Sequence, residues 1–157
     1  MEFVNLDLYA LAQECVDMLA LNAQKQNVTM QVSGKPSMIM ADKQLMEELV
    51  YNLCDNAIRY NNRGGSVNVT VGQESGHTFL VVKDTGIGIS KENQERVFER
   101  FYRVDKSRSK ATGGTGLGLA IVKHIVSQHG AKISIESEEG KGTEIRVDFS
   151  DLAPMNN

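Results

Sequence analysis

Residues 113–125 read GGTGLGLAIVKHI. Gly114, Gly116 and Gly118 alternate with Thr115, Leu117 and Leu119, and an apolar helical pattern starts directly behind them. Each glycine costs a helix about 1 kcal/mol relative to alanine, so a run of them at a helix start needs a reason. Free backbone N–H groups and the positive end of the dipole make a helix N-terminus a good site for phosphate. Glycine lets a ligand approach that backbone closely. The plainer reading is a turn or tight packing. The remaining sequence decides between the two.

Two familiar phosphate loops do not fit. A Walker loop needs a glycine five positions before its Gly-Lys pair, and Ile135 holds that place before Gly140–Lys141. EEGKG is better read as a hairpin turn. A dinucleotide fingerprint places Gly-x-Gly-x-x-Gly directly after a strand. Here the glycines fall at every second position, behind a charged segment.

Two further stretches carry chemistry. In EELVYNLCDNAIRY (47–60), Glu48, Asn52 and Asn56 recur every fourth residue. At about 100° per residue they form one slowly drifting stripe, with Arg59 between Glu48 and Asn52 on the helical wheel. Asparagine is a poor helix residue, so two on one face are more than a solvated surface requires. The amide oxygen is also a hard ligand suited to Mg²⁺. In VVKDTGIGIS (81–90), a continuous apolar strand ends at Asp84, and Gly86 and Gly88 bend the chain. A carboxylate there can accept a hydrogen bond from a base's exocyclic amine. It can equally open an ordinary type I turn.

Around these stretches the chain has the makings of one domain. Its 157 residues suffice for a substantial core, and 41% hydrophobic with 24% charged residues is ordinary for a soluble globular protein. A net charge of −3 offers no electrostatic case for nucleic acid. No apolar run is long enough to span a membrane, and no signal peptide opens the chain. Cys15 and Cys54 each sit in an apolar helical pattern and read as buried free thiols in a reducing compartment. His77, His124 and His129 have no metal-ligand spacing with them. The histidines read as surface or partly buried residues.

Periodicity predicts a helix over residues 7–24, a strand pair from VTMQVSG and SMIMAD joined by Gly34–Pro36, and a helix capped by Asp42 running to about Tyr60. Strands follow around Val67–Val71 and in TFLVVKD. A short helix is expected over 91–99, a loop over 103–113, a helix from about Thr115 to His129, and two closing strands. No strand–helix–strand alternation demands a parallel sheet. The expected class is α+β, a two-layer α/β sandwich with a mixed, largely antiparallel sheet and helices on one face.

Together these stretches resemble the catalytic, ATP-binding domain of sensor histidine kinases, in the gyrase/mismatch-repair/histidine-kinase superfamily with its Bergerat-type fold. NLCDNAIRY is similar to the N box, DTGIGI to the G1 box, FERFYRVD to the F box and GGTGLGLAIVKHI to the G2 box, in the family's order. The resemblance covers essentially the whole chain, and the F box with Phe98, Phe101, Tyr102 and Arg103 favours histidine kinases over gyrase-like ATPases. It implies ATP and Mg²⁺ as cofactors. Asn52 would bind the metal, with Asn56 near metal or phosphates, and Arg59 and Tyr60 would contact the phosphates. Asp84 would read the adenine amine in a pocket shaped by Gly86 and Gly88. Arg103 would neutralise charge on the γ-phosphate, and Gly114, Thr115, Gly116, Leu117 and Gly118 would form the phosphate cradle. Residues 90–113 would be a lid anchored by Phe98 and Phe101. Residues 1–150 would form the domain and 151–157 a flexible tail. Glu48 resembles the position of the water-activating glutamate in gyrase-like relatives; in a kinase it would assist the acceptor imidazole by hydrogen bonding.

None of the three histidines has the setting of a phosphoacceptor. The resemblance therefore implies an excised catalytic domain, expected to be monomeric. Its partners would be the helical-hairpin dimerisation and phosphoacceptor domain of the same parent kinase and, downstream, a response regulator. The fragment would lie in the cytoplasmic part of a membrane-anchored sensor, without membrane contact of its own. The rival readings are a gyrase-class ATP hydrolase, which Glu48 permits, and a non-catalytic nucleotide- or protein-binding module.

Overall fold

The computed structural model describes residues 1–94, 96–99 and 118–149. Strand β1 (Phe3–Asp7) leads into α1 (Leu8–Met18) and α2 (Ala20–Lys25). Then come β2 (Thr29–Gly34), β3 (Met38–Asp42), the long α3 (Lys43–Arg59) and the strands β4 (Ser66–Glu74) and β5 (His77–Asp84). A single-turn α4 (Lys91–Gln94), α5 (Gly118–Gln128) and the strands β6 (Lys132–Glu138) and β7 (Gly142–Asp148) complete the described chain.

A five-stranded sheet runs in the order β2-β4-β5-β7-β6, and a separate ribbon pairs β1 with β3. All pairs are antiparallel except β2–β4. This is the mixed, helix-covered sheet expected from the sequence. The alternation of β4 puts Val67, Val69 and Val71 inward, and Leu80, Val82, Ile145 and Val147 extend that face across β5 and β7. Leu8, Leu11 and Cys15 of α1, Leu49, Leu53 and Cys54 of α3, and Val122 and Ile125 of α5 cover it. Helix α3 lies between α1 and α5. On the opposite face Arg146 lies 4.4 Å over the Phe79 ring, held by Glu74 at 2.9 Å and Asp148 at 3.1 Å, so that face is finished for solvent.

The local signals behave as their chemistry requires. Asp42 caps α3 by accepting the Leu45 N–H at 3.0 Å. The β4–β5 hairpin turns through Ser75 and Gly76, both at positive φ, the signature of a type I′ turn. Helix α5 is closed off by Gly130, two residues past its end and also at positive φ, with the Ala131 N–H returning to the Val126 carbonyl.

Three expectations need correction. The helix expected over 7–24 breaks at Leu19, whose N–H is shared between the carbonyls of Cys15 and Val16; the tightened turn keeps both Leu19 and Ala23 buried. β2 and β3 do not pair with each other. β2 continues onto β4, where the Lys35 N–H reaches the Val71 carbonyl at 3.1 Å, and β3 pairs with the unforeseen β1. The parallel β2–β4 pair is bridged by β3 and α3, a crossover that no residue of either strand announces. His129 is only 2% exposed. Its Nε2 accepts the Asp42 N–H at 3.2 Å, which fixes the tautomer with Nδ1 donating to the Ile125 carbonyl at 2.8 Å. Phe3 stacks on the ring at 4.8 Å. The histidine thus ties the end of α5 to the start of α3 and to β1.

Both cysteines are buried and unpaired, as expected. Burial pushes the Cys15 thiol up to about 11 and the Cys54 thiol up to about 12, which leaves them unreactive. The lid and tail assignments fall mostly or wholly outside the described residues, as do Phe101, Tyr102, Arg103 and Gly113–Leu117.

Candidate functional site

Helix α3 presents the polar stripe. Asn52 donates from Nδ2 to the Glu48 carbonyl one turn back at 2.7 Å. One of its two N–H groups is thereby used, and Oδ1 is the atom that faces the start of α5. A Cβ placed on Gly118, the first residue of α5, would lie 3.4 Å from that oxygen. The α3–α5 packing therefore sets a hard amide oxygen against the first residue of a helix. Among the described residues no cluster of His, Cys, Asp and Glu could hold a metal by itself. A metal here would need the amide oxygen and ligands from a bound anion or water, which is how Mg²⁺ usually binds.

The other expected α3 residues are placed unequally. Glu48 is exposed and Asn56 is half-buried on the same stripe. The Arg59 Nε is engaged by Asp55 at 2.8 Å, one turn back. Tyr60 ends the helix, and its carbonyl accepts the Ile87 N–H at 3.0 Å. That bond fastens the last turn of α3 to the loop that follows Asp84.

Asp84 closes β5 half-buried. Its Oδ1 accepts the N–H of Gly86 at 2.8 Å and of Thr143 at 3.2 Å. Among the described residues no donor reaches Oδ2. Burial raises the carboxyl to about 6 despite the two N–H bonds, which pull the other way. A half-buried carboxylate with one satisfied and one unmatched oxygen is a fitting acceptor for a ligand amine.

The glycines beside it answer to close packing. A Cβ on Gly86 would clash with the Tyr60 carbonyl oxygen, and one on Gly88 with that of Glu138. Gly88 also holds φ at +70°, where side chains are strained. The Gly140 N–H reaches the Ile87 carbonyl at 2.7 Å, so the β6–β7 hairpin closes the other side of the loop. Just beyond, Val97 is buried, and Phe98 lies half-buried with Lys123 Nζ 5.9 Å from its ring centroid. Arg103, Gly114, Thr115, Gly116 and Leu117 are outside the described residues, so of the expected phosphate cradle only Gly118 is placed.

Several residues escaped the sequence reading. Asn61 is 2% exposed. It donates to the Ser66 carbonyl at 2.9 Å and accepts from the Asn62 N–H and the Thr85 hydroxyl, knitting α3 to β4 and β5. Thr143, Ser137 and Gln94 surround Asp84 and its loop. Ser137 and Thr143 take polar places at the ends of alternating strands, and Gln94 sits in a polar stretch, so none gave a signal of its own.

A sheet covered by helices, with an amide at a helix N-terminus and a half-buried aspartate at a glycine turn, defines a nucleotide-binding α+β sandwich. The family model for histidine kinase-, DNA gyrase B- and HSP90-like ATPases matches residues 41–153, and the chain belongs to that ATP-binding family. Its relatives are sensor histidine kinases. SenX3 of Mycolicibacterium smegmatis is 49% identical over 105 residues, covering 67% of this chain and 27% of the relative. YkoH of Bacillus subtilis is 36% identical over 146 residues, covering 93% of this chain and 32% of the relative. The chain thus spans about a third or less of the curated relatives it matches. Among solved structures, the mycobacterial sensor histidine kinase MprB superposes with a TM-score of 0.82 at 28% identity, covering 98% of this chain and 99% of that one. The chain is an ATP-binding domain of the sensor-histidine-kinase type. Among the described residues no helix is long and apolar enough to cross a membrane.

Proposed function

We propose that this domain binds Mg·ATP and delivers the γ-phosphoryl group to a histidine on a separate helical-hairpin domain of the same parent kinase, which then serves a response regulator. The observation that carries the reading is the Asn52 oxygen set against the first residue of α5, on the same helix whose last turn abuts the Asp84 loop. From Asn52 to Tyr60 the helix rises about 12 Å, a span that suits a nucleoside triphosphate laid along it.

In this reading the unmatched Oδ2 of Asp84 accepts the adenine amine, and the closed loop around Gly86 and Gly88 keeps water from competing. Asn52 holds Mg²⁺ through Oδ1; the metal, once bound, offsets phosphate charge and aligns the transferring group. Asn56 supports the metal or the phosphates. The N-terminus of α5 supplies amides and a favourable dipole, with Gly114, Thr115, Gly116, Leu117 and Gly118 as the cradle. Arg59 and Tyr60, one turn beyond Asn56, contact the phosphates nearer the ribose, Arg59 while sharing its charge with Asp55. Arg103 meets the γ-phosphate, and Glu48 assists the acceptor imidazole. The parent protein carries the hairpin and the membrane anchor, and this domain works on the cytoplasmic side.

Incubation with γ-labelled ATP tests the reading. The chain alone should remain unlabelled, because transfer needs an imidazole held in line with the γ-phosphate. Added cognate hairpin domain should acquire label slowly, for want of a covalent tether. That label should be acid-labile and base-stable, as a phosphoramidate is. Strong labelling of the isolated chain at His77, His124 or His129 would contradict the proposal.

A further inference from the structure

Ser137, on β6, is bonded to more segments than its exposed, alternating strand suggests. Its Oγ accepts the Ile89 N–H at 2.7 Å, donates to the Gly142 carbonyl at 2.9 Å and lies 2.9 Å from the Thr143 hydroxyl. With Thr143 as the donor of that last contact, the serine's proton and both lone pairs are used. The Ser137 carbonyl accepts from Gln94 Nε2 at 3.0 Å, and the same amide donates to the Ile89 carbonyl at 3.0 Å. One serine therefore joins the loop after β5, the hairpin between β6 and β7, and α4.

Both N–H groups that hold Asp84 Oδ1 belong to segments that this serine secures. Thr143 donates to Asp84 from the hairpin, and Gly86 donates from the loop that ends at Ile89. The loop has no alternative seat, since backbone from Tyr60 and Glu138 packs against Gly86 and Gly88. The Gly140 N–H to Ile87 carbonyl bond ties loop and hairpin through the backbone, and the Ser137 hydroxyl is a side-chain tie between the same two segments, bonded to Ile89 on one side and Gly142 on the other.

We infer that Ser137 is a positioning residue of the base pocket, acting through Thr143 and the Gly86–Ile89 loop to hold the Asp84 carboxylate at one angle. It thereby sets how strongly the pocket prefers a purine bearing an exocyclic amine over one bearing a carbonyl at that place. The inference rests on the proposed role of Asp84 as the adenine acceptor.

The test is a calorimetric titration of the chain with ATP and with inosine triphosphate, which replaces the amine by a carbonyl. The wild type should prefer ATP. Ser137→Ala should weaken ATP by about fivefold while leaving inosine triphosphate unchanged, so the preference shrinks by that factor. Ser137→Thr keeps the hydroxyl and should restore most of the preference. If the alanine variant does not fold, Ser137→Cys keeps the volume with weaker hydrogen bonds and should show the same selective loss. A serine that merely stabilises the fold would weaken both nucleotides together, and that result overturns the inference. A wild type that prefers ATP with a Ser137→Ala variant that keeps the full preference overturns the inference alone. A wild type without preference overturns the adenine reading and the inference with it.

Discussion

The two ends of the candidate site are built differently. At Asp84 the chain supplies its own scaffold: the last turn of α3, the β6–β7 hairpin and the loop between them meet through backbone bonds at Tyr60, Ile87 and Gly140, and the Thr143 N–H donates to the carboxylate itself. At Asn52, among the described residues, the side chain is fixed only to its own helix, and it faces the start of α5 rather than bonding to it. On the proposed reading, the Asp84 end discriminates by hydrogen-bond geometry. On the same reading, the Asn52 end presents an oxygen and a helix dipole whose counter-charges come with the ligand. Selectivity for the base should thus be a property of the protein alone, whereas the contribution of the phosphate end should depend on which ions accompany the nucleotide.

The rigidity of the base end is the most exposed to failure. Gly88→Ala combines a positive φ with a Cβ driven against the Glu138 backbone, and unfolding stability should fall by about 3 kcal/mol in chemical denaturation. A loss below about 0.5 kcal/mol, the range of an ordinary surface substitution, would mean that the hairpin yields and that the contrast between the two ends is overstated.

Asp84→Asn should be next in size. It places an amide donor where the adenine amine donates, and ATP should bind about 2 kcal/mol more weakly by calorimetry. Stability should not suffer. The folded carboxyl stands at about 6, above its ordinary value of 3.8, because burial penalises its charge. Such a group favours the fold most at low pH and withdraws that contribution as pH rises from about 4 through about 6. At neutral pH the asparagine variant should therefore unfold no earlier than wild type, and an earlier unfolding would assign Asp84 a structural role instead. By the same shift, wild-type ATP affinity should fall as pH is lowered through about 6, and the asparagine variant should lack that dependence.

At the phosphate end, Asn52→Ala should cost on the order of 1 kcal/mol of ATP affinity, and only with Mg²⁺ present. An equal loss in chelator would make Asn52 a phosphate or sugar contact and remove the ionic half of the comparison.

What the sequence displayed and what it hid have physical causes. The polar stripe of α3, its Asp42 cap and the aspartate closing a continuous apolar strand were visible because periodicity and turn chemistry are local. β1 was not, because only Leu6 of its five residues is buried and no alternation results. The β2–β4 pairing depends on α3 passing over the sheet, a contact written in neither strand. Ser137 and Thr143 occupy an alternating hairpin where polar residues ordinarily face solvent, and only the approach of the Asp84 loop gives them a second purpose. The burial of His129 likewise follows from α5 ending beside the start of α3, which no short stretch encodes.

The most direct test of the central claim is a crystal structure of this chain with Mg²⁺ and a non-hydrolysable ATP analogue. The account predicts the adenine amine within hydrogen-bond distance of the Asp84 carboxylate, with the phosphates beyond Asn52 at the N-terminus of α5 and the metal on Asn52 Oδ1. A nucleotide bound in the opposite direction, or one that leaves Asp84 untouched, would contradict it.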